Sequence, residues 1–392
     1  MHYIKNISLF LTLCLTIGFP RIYGTEIPMA FLLAPFFIVG FIQFVFKKSI
    51  FCFIYLILFL SGFFLGIFSY INGSGGWQDL FFHIVIYFKI LLFVFFAYVV
   101  YRCIYKNPSI LFHWILFQFF VVVLSIFSKG FYRILLGFIS PRSAEVFQHI
   151  FGLRALGFGL FHVDGSITLV FAVFLYVLII NNGEKKSSIF ALLVSLPVSM
   201  SVARSALIPY LMFGIFTKGY FIKFMFLLVM IVMFITSVFV EFGPLYQASE
   251  IFRNIISGKG IYSDSVASLF TMYSLPKELS TYIIGDGMYY SETTGVLSFY
   301  MGTDVGYMRI LYYSGVFSII IFIVINAIFS FVGIFASSGP LFLKYRIYFL
   351  VSIFVFFIMN AKGIQVAPFF SLVAFYYIFN TTLAPANAGT RG

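Results

Sequence analysis

Runs of about 20 apolar residues recur from one end of this chain to the other, and that feature leaves few folds open. Hydrocarbon offers no water to a bare N–H or C=O, so a span of this length must close its own hydrogen bonds as a helix. Composition points the same way. Of 392 residues, 62% are hydrophobic and 9% charged, with a mean hydropathy of +1.09, a balance foreign to soluble globular domains. A window of about 19 residues predicts apolar spans at 4–20, 27–46, 50–71, 80–101, 109–127, 166–182, 187–201, 204–217, 222–240, 305–335, 345–361 and 365–380. The expectation is an all-α integral membrane protein of about twelve transmembrane helices. The first span resembles a signal peptide but lacks a small-residue cleavage site, so it is read as the first helix. The block 187–217 reads either as two short helices meeting near Ser201–Ser205 or as one longer broken helix.

Lysine and arginine in the short loops orient such a chain. With alternating helices, Lys5, Lys47, Lys48, Arg102, Lys106, Lys185, Lys186, Lys218, Lys223, Lys344 and Arg346 share one side. That side is taken as cytoplasmic, which puts both termini inside. The opposite side receives short loops at 21–26, 72–79 and 360–363 and two large loops, 128–165 and 241–304. Residues 1–382 are expected to form a single polytopic membrane domain. The tail 383–392 loses its aromatic residues and reads as a flexible, appended segment.

Acidic residues fall mostly outside: of the 12 in the chain, Glu184 is the cytoplasmic one. The net charge of +12 therefore says less than its placement and is not read as nucleic-acid binding. Outer loops also hold Lys129, Arg133, Arg142, Arg154, Arg253, Lys259 and Lys277, against the topological bias. Long outer loops translocate regardless of charge, so no single lysine of 250–280 is given a role. Cys14, Cys52 and Cys103 are far apart and suggest neither a disulfide framework nor a metal cluster.

The polar window from Glu241 to Gly315 is the departure from this pattern. A connection of that length is seldom a mere link, and loops on a rigid scaffold carry chemistry. It contains the turn Gly285-Asp286-Gly287 and closes with Thr303-Asp304-Val305-Gly306-Tyr307-Met308-Arg309. Asp304 stands at a predicted first helical turn, where it reads as an N-cap or as a general base. Arg309, about a turn deeper, needs an anion, which is either Asp304 or a phosphate. In the other large loop Arg154 lies in Phe151-Gly152-Leu153-Arg154, followed by Gly157, Gly159, His162, Asp164 and Gly165. Two readings are open for it: a planar fork on phosphate, or an interfacial arginine reaching to headgroups. Arg204, in Ser199-Met200-Ser201-Val202-Ala203-Arg204-Ser205, has apolar sequence on both sides. That placement costs roughly 2.5–3.5 kcal/mol on insertion scales and marks it for function ahead of a simple hairpin tip.

Glu145, His149, His162, Asp286 and Glu292 are further acid–base candidates, each also readable as a surface residue. His83 and His113 read as helix-packing residues. Lys89, in mid-helix, is expected to face the bundle interior, with no partner assignable. No phosphate-binding loop, dinucleotide fingerprint or His-Glu-x-x-His cluster occurs, so neither a cofactor nor a metal is expected.

Together these pieces resemble the O-antigen polymerases of bacteria, a group that also includes the O-antigen ligases. The likeness rests on Arg154-x10-Gly165, Ser-Val-Ala-Arg204-Ser, Ile284-Gly285-Asp286-Gly287 and Thr303-Asp304-Val305-Gly306-Tyr307-Met308-Arg309 leading to Tyr313-Ser314-Gly315. It covers nearly the whole chain in layout and a few dozen residues in motif. The second arginine–glycine motif of the family is not clean: Gly258 and Gly260 lie too near Arg253. Ligases of the group tend to carry histidine where this chain has Asp304.

The resemblance implies a GT-C-like fold in the inner membrane with its active site facing the periplasm. The implied activity is the joining of undecaprenyl-pyrophosphate-linked oligosaccharide repeats, metal-independent and inverting. Arg154, Arg204 and Arg309 would hold pyrophosphate, Asp304 would act as base, and Gly165, His162, Glu145, Arg253, Asp286 and Tyr307 would line the substrate. Membrane lipids and a chain-length regulator protein are the implied partners. The alternatives are an O-antigen ligase or a flippase for the same lipid-linked oligosaccharide. The absence of internal repeats and the polar mass on one face speak against a flippase.

Overall fold

The computed structural model describes residues 2–47, 49–180, 185–216, 220–239, 246, 249–260, 264–293, 296–336 and 343–381. Lys48, Glu184, Lys218, Glu241 and the tail 383–392 lie outside them. Helices run α1 His2–Thr16, α2 Ala34–Lys47, α3 Ser49–Asn72, α4 Trp77–Lys106, α5 Ser109–Phe127, α6 Lys129–Leu136, α7 Pro141–Phe147, α8 His162–Ile179 and α9 Lys185–Val202. They continue as α10 Leu207–Phe216, α11 Tyr220–Phe239, α12 Glu250–Ile256, α13 Asp264–Thr271, α14 Leu279–Ile283, α15 Gly306–Ala336, α16 Leu343–Asn360 and α17 Phe369–Thr381. A hairpin of β1 Tyr290–Thr293 and β2 Val296–Phe299, antiparallel with Tyr290 opposite Phe299, interrupts the second large loop.

A helix lies on each of the twelve expected spans. Among the described residues, seven helices are long and apolar enough to cross a bilayer, and four further apolar helices are shorter. The protein is thus a membrane-embedded helical bundle. Its core is built on α4 and α17, with aromatic rings meeting edge to face: Phe44 on Tyr376 at 5.0 Å and Phe329 on Phe375 at 5.0 Å. Such offset contacts suit the ring quadrupole and pack without polar atoms.

Two helix breaks shape the polar end of the bundle. Between α9 and α10 the chain straightens at Ala203 (φ −160°, ψ 141°) and resumes as a 3-10 turn, Arg204–Ala206. The sequence alternative of two helices meeting near Ser201–Ser205 is the one observed. The Ser201 carbonyl, freed by the break, accepts the Ala155 N–H at 2.9 Å. The second break, inside α15, is at Ser314 and Gly315, whose φ is 76°. An L-residue is strongly disfavoured in that region of φ. Here the Tyr312 and Tyr313 carbonyls accept N–H bonds from Asp286 (2.6 Å) and Gly287 (3.0 Å). Irregular backbone in a membrane helix survives where protein satisfies it. The Gly285-Asp286-Gly287 turn does so here.

Asp79 fixes this turn from the other side. Its carboxylate is buried and accepts the N–H groups of Tyr289 (2.7 Å), Tyr290 (3.0 Å) and Gly76 (2.8 Å). Asparagine would turn an N–H towards one of these donors. Asp79→Asn is expected to destabilise the fold by about 1.5–3 kcal/mol, the scale of hydrogen bonds to a charged group. Thermal unfolding in detergent checks it, with protease cleavage of the hairpin as a local readout.

Candidate active site

Side chains from four stretches, the first two of them contiguous, converge at the end of the bundle that carries both helix breaks. The first is the loop ahead of α8. Gln118 accepts the Phe158 N–H at 3.0 Å and donates to the Phe158 carbonyl at 3.2 Å. Ser125 Oγ accepts the Leu156 N–H at 2.9 Å. With the Ala155–Ser201 bond, these stitches hold the backbone on either side of Arg154 and set that arginine beside Arg204. Burial, and then the Arg204 charge, lower the Arg154 pKa. Neither cation neutralises the other, so the pair raises a positive field in a partly dry setting.

The second stretch is the start of α8. His162 opens the helix at φ 55°, in the left-handed region, and its side chain is exposed. A non-glycine residue held there is a strained feature of the kind that gathers at functional sites. Three residues on, Gly165 is buried with its N–H on the Phe161 carbonyl at 3.1 Å, so it packs its own loop.

The entry to α15 is the third. Thr303 Oγ accepts the Val305 N–H at 3.2 Å, and Asp304, half exposed, faces Arg309 at 3.7 Å. Arg309 is 6% exposed. Its guanidinium lies in a box of rings: Phe299 at 4.1 Å, Phe82 at 5.0 Å, Tyr290 at 5.7 Å and Tyr289 at 5.8 Å. Nε and Nη2 are buried with no hydrogen-bond partner among the described residues. Arg142 of α7 stacks over Tyr290 at 5.7 Å, so the two large loops meet at the hairpin.

The fourth stretch is the turn 360–363, where the sequence alone marks no candidate. Asn360 pins it, donating to the Gln365 carbonyl (2.9 Å) and accepting the Gln365 N–H (3.0 Å). A side chain at Gly306 would meet the Asn360 and Gly363 carbonyls, so this turn packs on the Asp304 segment. Lys362 has its pKa lowered by burial, then by Arg204 and Arg154, with Asp304 opposing. Burial pushes the Asp304 carboxyl above its ordinary range, and Arg309 and Lys362 recover only part of that.

The remaining sequence candidates fall outside this group or have internal work. Asp286 accepts from Thr281 (2.6 Å) and Tyr300 (3.1 Å) and holds its turn. Arg253 donates to the Tyr246 carbonyl and to Ser249, and stacks on the Tyr246 ring. Glu145 and His149 are exposed near α7, Tyr307 donates to the Phe357 carbonyl at 3.0 Å, and Glu292 lies on β1. Arg204 forms an ion pair with Glu250 of α12, which docks that helix on the site. Lys89, for which the sequence offers no partner, pairs with Asp164 at 2.7 Å and is partly exposed.

Among the described residues, the cations Arg154, Arg204, Arg309 and Lys362 thus gather against the carboxylates of Asp304 and Glu250. Mutual repulsion among cations has to be compensated by an anion, and a surplus of fixed positive charge is a standing anion site. Neither a protein-family model nor a curated protein nor a solved structure matches the chain.

Proposed function

We propose that this protein is an O-antigen-type polymerase: it joins undecaprenyl-pyrophosphate-linked oligosaccharide repeats at the periplasmic face of the bacterial inner membrane. In this reading twelve helices cross the membrane in a GT-C-like arrangement, both termini are cytoplasmic, and the charged end of the bundle faces the periplasm. The observation that supports it best is that Lys362 feels both the Arg154–Arg204 pair and the Asp304 carboxylate that faces Arg309, so charges from stretches far apart in sequence share one end of the bundle.

The reaction needs a base and a sink for negative charge. The acceptor hydroxyl gives its proton to Asp304 as its oxygen bonds to the anomeric carbon of the growing chain. The bond from that carbon to the carrier's diphosphate oxygen breaks, and the electron pair leaves with the diphosphate. Direct displacement inverts the anomeric centre. Fixed guanidinium and ammonium groups stabilise the departing charge without reorganising, and such electrostatic preorganisation is commonly an enzyme's main source of rate enhancement. A carboxyl held above its ordinary pKa by burial is a stronger base than an exposed one.

Purified protein given synthetic lipid-pyrophosphate repeats, with chelator present, should build a ladder of oligomers. Arg154→Ala is expected to reduce the rate by about 10²-fold, the scale of losing one charge-stabilising group. In cells the variant should leave single-repeat lipopolysaccharide and no long chains. Loss of every O-sugar would move the assignment to ligase or flippase, and an unchanged ladder would remove Arg154 from the site.

A further inference from the structure

The segment 269–283 has two faces of different chemistry. Inward, Leu269, Met272 and Tyr282 pack against Val305, Met308, Leu311 and Tyr312 of the α15 entry. Tyr273 donates to the Ala361 carbonyl at 3.1 Å, and the Ser274 carbonyl accepts from Tyr312 at 2.9 Å. Those contacts tie the segment to the protein. Outward it presents Phe270 at 74%, Leu275 at 72%, Leu279 at 74% and Ile283 at 50% exposure. Between 265 and 285 the charged residues are Lys277 and Glu278. Water would be a poor neighbour for so many large apolar groups on so short a stretch.

Their surroundings say what covers them. Gly315, at the break in α15, packs on the Ile283 and Tyr282 carbonyls. The next residues along that helix, Val316, Phe317 and Ile320, are themselves exposed and belong to a span apolar enough to cross a bilayer. At that same end the chain also meets α3, where Ser69 donates to the Ile284 carbonyl at 2.6 Å. Phe68 and Ile71 are exposed beside that contact on a second such span. The outward face therefore continues the lipid-facing surface of both helices. Tyr273 and Lys277 suit such a border, because tyrosine sits at headgroup depth and lysine reaches out to it.

We propose that residues 270–283 lie in the membrane interface, with Phe270, Leu275, Leu279 and Ile283 inserted among the acyl chains of the leaflet on the side of the cationic cluster. The partner is the lipid surface, and the proposal holds whatever reaction the cluster performs. It also restricts which part of the second large loop is free to cover a soluble ligand.

The full chain, with its three cysteines replaced by serine, is spin-labelled singly at Leu275→Cys and Leu279→Cys and reconstituted in phosphatidylethanolamine–phosphatidylglycerol vesicles. Collision with oxygen should exceed collision with a water-soluble nickel chelate at both positions, as at the control Phe317→Cys and opposite to Glu145→Cys. Values matching Glu145→Cys overturn the proposal. If the cysteine-free chain does not fold, Leu279→Trp in the native chain gives the second readout. Brominated acyl chains should quench the added fluorescence, and quenching by aqueous iodide alone would refute insertion.

Discussion

Arg309→Met should abolish the proposed polymerisation while leaving the thermal midpoint unchanged or higher. The expectation follows from comparing what the guanidinium gains with what it loses. Stacking on Phe299, Phe82, Tyr289 and Tyr290 contributes about 0.5–2 kcal/mol where a cation is desolvated. Against that, two buried donors, Nε and Nη2, meet no hydrogen-bond partner among the described residues, at about 1–3 kcal/mol each. Its ion-pair partner among the described residues, Asp304, is 3.7 Å away and half exposed. An arginine so placed is a net burden on the fold, and an apolar side chain of similar length fills the ring box without orphaned donors. The benefit must then come from an anion that the two free donors can reach. Arg309→Lys separates charge from shape: it keeps one positive charge and loses the planar stack and the fork. Activity near wild type in the lysine variant would mean that charge alone suffices. A falling midpoint in Arg309→Met together with retained activity would make Arg309 a structural residue.

What the sequence disclosed and what it hid follow from the same physics. The apolar helices were legible because the bilayer imposes one length and one composition on whatever crosses it. The break at Ala203 was legible as an alternative because Ser-Val-Ala-Arg interrupts the apolar run. Arg154, Arg204, Asp304 and Arg309 stood out because charge next to hydrocarbon is costly. Lys362 did not, since one lysine in a four-residue turn forms no pattern, and its meaning comes only from Asn360 and Gly306 setting it by Asp304. Asp286 was legible as important, but its carboxylate is spent on Thr281 and Tyr300. The ring box around Arg309 draws on α4, the hairpin and α15, residues over 200 positions apart, and no local window could have assembled it.

Asp304→Asn is the second large effect expected, and its signature is a pH profile. Burial raises the Asp304 pKa, outweighing the opposite pull of Arg309 and Lys362. As a general base the group must be ionised, so wild-type activity should fall as pH drops through an apparent pKa above the ordinary carboxylate value of about 3.9. Asparagine removes the base, with an expected loss of about 10²–10⁴-fold and no acid limb of that origin in the residual rate. Stability moves the other way. A carboxyl whose folded pKa lies above its unfolded pKa carries no penalty when both states are protonated. It carries the full penalty once pH exceeds the folded value. At neutral pH, then, Asp304→Asn should unfold no earlier than wild type, and the difference should shrink on acidification through that window. Lys362→Met tests the same balance from the cation side: removing one of the two charges that favour the ionised carboxylate should shift the acid limb to higher pH. A profile that does not move in Lys362→Met would separate Lys362 from Asp304 functionally, and an asparagine variant with wild-type turnover would eliminate Asp304 as the base.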